Sequence, residues 1–235
     1  MENSRFDKLK RRGVIKDYNE VPLIPKLVSE GVELKARDRY GFTALHWAAQ
    51  EGNFDSVKAL LDSQTNVVNS SDNKGLTALH LACLNGHLDV VNILIERGAN
   101  VDAVDNDGTT PILYAVMENY LDIVLMLAEN GCNMNVSDED GNTPLHWAVE
   151  DDNIDIVRAL FQSKTFDVNF TDEKCLKNTA LHLAAENGYE AMAKYLIENA
   201  ANLDALNEDD ETPLQIATKR GHKATCNQLK KKKKK

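Results

Sequence analysis

Thr143-Pro-Leu-His-Trp-Ala148 is one copy of a phrase that the chain repeats six times. The others are Thr43-Ala-Leu-His-Trp-Ala-Ala49, Thr77-Ala-Leu-His-Leu-Ala82, Thr110-Pro-Ile-Leu-Tyr-Ala115, Thr179-Ala-Leu-His-Leu-Ala-Ala185 and Thr212-Pro-Leu-Gln-Ile-Ala217. Successive threonines are 34, 33, 33, 36 and 33 residues apart. Self-similarity at such a period marks a stack of small supersecondary units. Each threonine precedes an apolar stretch, where its hydroxyl suits the N-cap of a helix. Pro111, Pro144 and Pro213 follow directly, where a fixed φ and a missing N–H are harmless. Nine residues after the threonine, Gly52, Gly86, Gly188 and Gly221 mark a left-handed helix end, and Asn119 and Asp152 replace glycine in two copies.

A second helix is expected in each unit. In His87 to Arg97 the apolar stripe reads Leu88, Val91, Leu94 and Ile95, and Gly98 stops it. Turn signals follow: Asp38-Arg-Tyr-Gly41, Asp72-Asn-Lys-Gly75, Asp105-Asn-Asp-Gly108 and Asp138-Glu-Asp-Gly141. Each unit is therefore helix, helix, finger. No copy can bury its stripe alone, so the copies must stack.

The threonine-led motif and its period resemble the ankyrin repeat. The resemblance is strong from Arg37 to Leu229 and weaker before it. It implies an all-α ankyrin-repeat solenoid of stacked helix-turn-helix units with β-hairpin fingers. The expected divisions are an N-terminal capping half-repeat (1–37), six repeats (about 38–71, 72–104, 105–137, 138–171, 172–206 and 207–229) and a lysine tail (230–235). The tail is read as disordered or artefactual, since lysine is what a translated poly(A) tail encodes, or as a nuclear address or anionic-surface tether. The finger between the fourth and fifth repeats is longer than the rest, with Lys177 where glycine is expected.

The net charge is −10, and the six terminal lysines, Lys230 to Lys235, mask a still more acidic body. Acidic bodies repel phosphate backbones, so no nucleic-acid partner is expected. The sequence has no apolar run long enough to span a bilayer and no secretory leader, which predicts no membrane association and a cytoplasmic or nuclear location. Cys83, Cys132, Cys175 and Cys226 lack pair spacing and are read as free thiols.

No catalytic signature is present, and no metal or cofactor is expected. His46, His80, His146 and His182 recur one repeat apart, too distant to share a zinc ion, and are read as structural bonds to backbone between units. Asp138-Glu-Asp140-Gly141 fails as a calcium loop, because Val136 and Trp147 occupy its end positions. Asn69, Asn135 and Asn169 fit a glycosylation pattern that has no meaning without secretion. Asn69 and Asn135, each eight residues after a leucine, also resemble asparagines hydroxylated in ankyrin proteins, a modification received rather than an activity.

The resemblance implies a protein that binds other proteins and catalyses nothing, with first helices and fingers on the concave side. The position four after each threonine reads Trp47, Leu81, Tyr114, Trp147, Leu183 and Ile216, and both tryptophans of the chain fall on it. Tryptophan and tyrosine are enriched at binding hot spots, so Trp47, Leu81, Tyr114, Trp147 and Leu183 are the expected contact row. Finger acids, Asp105, Asp107, Asp138 and Asp140 foremost, are expected to steer a basic segment of the partner. The resulting expectation is a monomeric, non-enzymatic adaptor, scaffold or inhibitor. The alternative is a recognition arm or fragment of a larger enzyme complex, such as a kinase or ubiquitin ligase.

Overall fold

A computed structural model describes residues 37–63, 67–163, 166–171 and 177–231. The expected capping half-repeat, nearly all of it, and Cys175 lie outside the described residues, as do 232–235 of the lysine tail. Twelve helices fall in pairs among the described residues: α1 Ala44–Gln50 and α2 Phe54–Ser63; α3 Ala78–Leu84 and α4 Leu88–Glu96; α5 Pro111–Met117 and α6 Leu121–Glu129; α7 Pro144–Glu150 and α8 Ile154–Leu160; α9 Ala180–Asn187 and α10 Glu190–Glu198; α11 Pro213–Arg220 and α12 Lys223–Lys231. The chain divides into two compact units, Met1–Asn130 and Gly131–Lys235. In the first, α1 packs on α3 and α3 on α5; in the second, α7 packs on α9 and α9 on α11.

All six repeat threonines sit at N-caps with extended φ and ψ, as their spacing predicts. The expected left-handed residues are left-handed: Gly86 has φ 75°, and Asn119 and Asp152 take 60° and 50° in place of glycine. Lys177 pays the same steric cost at φ 54°.

The core of the first unit includes Leu60, Leu79, Leu94, Ile112 and Leu127; that of the second includes Leu145, Ile156, Leu181 and Leu196. The stripe on α4 differs from expectation. Val90, Val91, Ile93 and Leu94 are buried, whereas Leu88 at the helix start is 36% exposed and Ile95 is half-buried. Adjacent positions one turn apart, rather than Leu88 and Ile95, form the packed face. Cys83, Cys132 and Cys226 are buried thiols outside any disulfide among the described residues.

The fingers correct the expected β-hairpins. Among the described residues they are turns without paired strands, apart from one isolated antiparallel bridge between Ser71 and Thr77. Side chains do the work of a ladder. In each of four fingers the leading aspartate closes an Asx turn. Asp138 Oδ1, for instance, accepts the Asp140 and Asn142 amides at 3.1 and 2.8 Å. Fingers in the first unit also lie on one another: the Asn106 amide donates to the Lys74 carbonyl at 2.9 Å. Gly75 permits that approach, with φ +84° and a Cβ that would come within 2.8 Å of the Asn106 nitrogen.

Candidate functional site

The four histidines of the repeated phrase tie each first helix to its own cap and to the next repeat. Each Nδ1 accepts the backbone amide of its threonine: Thr43 to His46 at 3.1 Å, Thr77 to His80 at 3.0 Å, Thr143 to His146 at 3.1 Å and Thr179 to His182 at 3.0 Å. An accepting Nδ1 requires the proton on Nε2. That proton is then donated to a carbonyl of the following repeat, at Leu76 (3.0 Å), Thr109 (3.2 Å), Asn178 (2.8 Å) and Glu211 (3.0 Å). Burial, the largest cause, lowers the pKa of all four. They are structural, and no group of three or more potential metal ligands occurs among the described residues.

The aromatic row has a feature that its spacing did not reveal. Trp47 Nε1 donates to Asp38 Oδ2 at 3.1 Å, the Tyr114 hydroxyl to Asp105 Oδ2 at 2.8 Å, and Trp147 Nε1 to Asp138 Oδ2 at 2.9 Å. One carboxylate thus organises the finger with Oδ1 and clamps the ring with Oδ2. Burial first, then the bond to Asp105, pushes the Tyr114 phenol well above its ordinary pKa. The three rings are fixed at one polar edge and remain partly exposed.

The other members of the row divide. Leu81 is only 3% exposed, so it belongs to the core and drops out of the expected contact row; Ile216, which shares its repeat position, is buried as well at 6%, and Leu183 is half-buried. Without a polar edge to hold to a finger, an aliphatic side chain gains more by burial. The finger acids divide likewise. Asp105 and Asp138 are each 7% exposed and saturated with internal donors, which unfits them for the steering role expected of them. Asp107 and Asp140 stand exposed at the tips, beside Glu139 in the second unit.

Three other bridges escaped sequence reading because their residue types vary. His87 Nε2 donates to the Gln50 carbonyl at 2.9 Å, His222 Nε2 to that of Glu186 at 2.9 Å, and the Tyr189 hydroxyl to that of Glu150 at 3.3 Å. All lie at the start of a second helix, a shared position that only alignment of the repeats exposes. Asn69 joins the next repeat through both ends of its amide, donating to the Gly98 carbonyl at 3.1 Å and accepting from the Asn100 amide at 2.8 Å. Asn135 accepts the Asp167 amide at 3.0 Å.

The comparisons agree with this construction. The family model described as ankyrin repeats (3 copies) matches residues 14–105, 98–172 and 166–235. A transient receptor potential cation channel subfamily A member 1 homolog from Caenorhabditis elegans is 46% identical over 52 residues, which is 22% of this chain and 4% of that protein. Among solved structures, the ankyrin repeat domain of Bcl-3, described as a unique member of the IkappaB protein family, superposes with a TM-score of 0.80. It is 26% identical, over 92% of this chain and 95% of that one. A Bdellovibrio bacteriovorus structure, a predatory endopeptidase in complex with its immunity protein, matches with a TM-score of 0.69 and 27% identity, over 85% and 100% of the two chains. Repeated phrase, capped helix pairs and family match together make this chain a member of the ankyrin-repeat family.

Proposed function

We propose that this chain is a non-enzymatic adaptor or inhibitor that holds a partner protein against the finger side of its first helices. Ankyrin repeats generally mediate protein–protein interactions, and the carrying observation is the clamped aromatic. A ring already fixed by an aspartate loses little further freedom on binding, which is what a hot spot requires. The immunity-protein complex among the structural neighbours supports the inhibitor reading, and the exposed tips Asp107 and Asp140 fit a partner with a basic segment. A cytoplasmic or nuclear site of action accords with this reading.

A photo-crosslinking residue at Glu118, at the end of first helix α5, should capture the partner, while one at exposed Glu96, on second helix α4, should not. Capture from Glu96 alone overturns the proposal. Asn69 and Asn135 are proposed hydroxylation acceptors. Because both side chains are hydrogen-bonded to the next repeat, modification requires local opening of those loops first.

A further inference from the structure

The first two fingers reverse the sign of the chain. The net charge is −10, yet Arg37, Arg39 and Lys74, all exposed, are three of the five lysines and arginines between Arg37 and Asn130. They belong to adjacent fingers that are bonded to each other: the Asn73 backbone amide donates to the Tyr40 carbonyl and its side-chain amide to the Arg39 carbonyl, both at 3.1 Å. In the third finger of the same unit Asp107 stands where Tyr40 and Lys74 stand in the first two.

These cations have no anion of their own. Arg97 pairs with Asp62, Arg158 with Asp155 and Arg220 with Glu186. Among the described residues, Arg37, Arg39 and Lys74 enter no ion pair. The aspartates nearest to them in sequence are committed to turns. Asp38 Oδ1 accepts the Tyr40 and Phe42 amides at 2.8 and 3.0 Å, and its Oδ2 accepts the Trp47 indole. Asp72 Oδ1 accepts the Lys74 and Leu76 amides, both at 2.8 Å.

Arg39 is also held in place. Its guanidinium lies over the Tyr40 ring, 4.7 Å from the centroid, and that tyrosine is 53% exposed. A guanidinium against a ring keeps N–H groups in its own plane, which bind a carboxylate through two parallel bonds. An arginine already positioned loses less freedom when it does so.

We infer that the first two fingers receive an acidic segment of the partner protein, with one carboxylate held bidentately by Arg39 and others by Arg37 and Lys74. The complementarity is local, because an acidic segment is repelled by the rest of this chain and is therefore confined to these fingers. The inference rests on the proposed function and describes its partner further: the acidic segment ends where Asp107 begins to favour a basic one.

The test titrates the full chain with an acetylated, amidated hexaglutamate peptide at fixed ionic strength, followed by NMR. The Arg39 Nε–H resonance, assigned by its loss in Arg39→Lys, should shift saturably while that of the paired Arg97 stays. With affinity read at the Tyr40 backbone amide, Arg37→Gln with Arg39→Gln should weaken binding about tenfold. Arg39→Lys, which keeps the charge and loses the fork, should weaken it several-fold. Lys233→Gln with Lys234→Gln removes equal charge from the terminal lysines and should change affinity at Tyr40 less than about twofold.

The inference is overturned by an unsaturable response, by equal losses from the two double variants, or by undiminished binding to Arg39→Lys. Shifts of the same resonances on concentrating the chain without peptide would assign the surface to a second copy. Saturation by inorganic phosphate with hexaglutamate silent would assign it to phosphate, and either result overturns the inference. If the finger double variant does not fold, the Arg39 resonance of the native chain decides alone. A silent titration alongside capture from Glu118 sinks this inference only; capture from Glu96 alone sinks the functional proposal.

Discussion

His146 and Asn178 are joined across two repeats by a 2.8 Å bond from the imidazole Nε2 to a backbone carbonyl. The same ring accepts the Thr143 amide through Nδ1, so it functions only while neutral. Protonating Nδ1 would set two donors against each other.

Acid should therefore loosen the repeats well above the carboxylate range. Burial lowers the pKa of His46, His80, His146 and His182 in the folded chain below the ordinary histidine value of about 6.5. With folded values depressed, the neutral form's contribution is complete above about pH 6.5 and is lost as pH falls from there toward the folded values. Each group contributes at most about 1.4 kcal/mol per pH unit across that window. Urea midpoints measured from pH 7.5 to 5 should fall, and His146→Gln should flatten the slope. Gln215 already shows that glutamine serves the cap, accepting the Thr212 amide at 2.7 Å. A flat native profile would refute the tautomer assignment.

The third repeat has Leu113 where the others have histidine or glutamine, and the buried Thr110 hydroxyl has no hydrogen-bond partner among the described residues. Thr110→Val should leave stability unchanged or raise it by up to about 1 kcal/mol, because it removes an unsatisfied group. Thr143→Val removes a hydroxyl bonded to His146 at 2.8 Å and should cost about 1 to 2 kcal/mol. Denaturant unfolding of the two variants side by side decides the matter, and equal costs would contradict it.

Asp138 and Trp147 should be energetically coupled. Asp138→Asn turns an amide toward the indole N–H and should destabilise by about 1 to 2 kcal/mol. In a Trp147→Phe background the same change should cost less, with a coupling of about 0.5 kcal/mol or more. Strict additivity in the double-mutant cycle would show that the 2.9 Å contact carries no weight. Asp140→Asn, at the exposed tip, should leave stability alone and affect only the rate and salt dependence of partner association.

Two glycines of equal φ separate backbone strain from crowding. Gly75 and Gly98 both sit at φ +84°, yet a Cβ on Gly75 meets the Asn106 backbone at 2.8 Å and one on Gly98 meets nothing within 4 Å. Gly98→Ala should cost about 1 kcal/mol and Gly75→Ala distinctly more. Equal melting temperatures would mean that the finger contact yields freely.

Helix pairs, caps and left-handed stops were legible because they depend on local chemistry repeated at a fixed period. Thr77, His80 and Gly86 state their roles through spacing alone. The exposure of the aromatic row was less legible, since Leu81 and Trp147 share a repeat position but not an environment. What separates them is whether the side chain has a polar edge for the finger aspartate, a long-range pairing that no single window displays. Asp105 and Asp107 likewise look alike in sequence, and only the turn geometry makes one a buried scaffold and the other a tip. The strands expected in the fingers failed because Asx turns satisfied the backbone donors that a ladder would have taken.

The repeat-to-repeat bonds of the four histidines end on main-chain oxygens, at Leu76, Thr109, Asn178 and Glu211. An aliphatic, a hydroxyl, an amide and a carboxylate side chain occupy those acceptor positions, and the bond is indifferent to which. Cohesion is therefore written in a code that never consults the side chain at the receiving end. Residues on the rim of the array are free to diversify toward new targets while the joint beneath them stays the same.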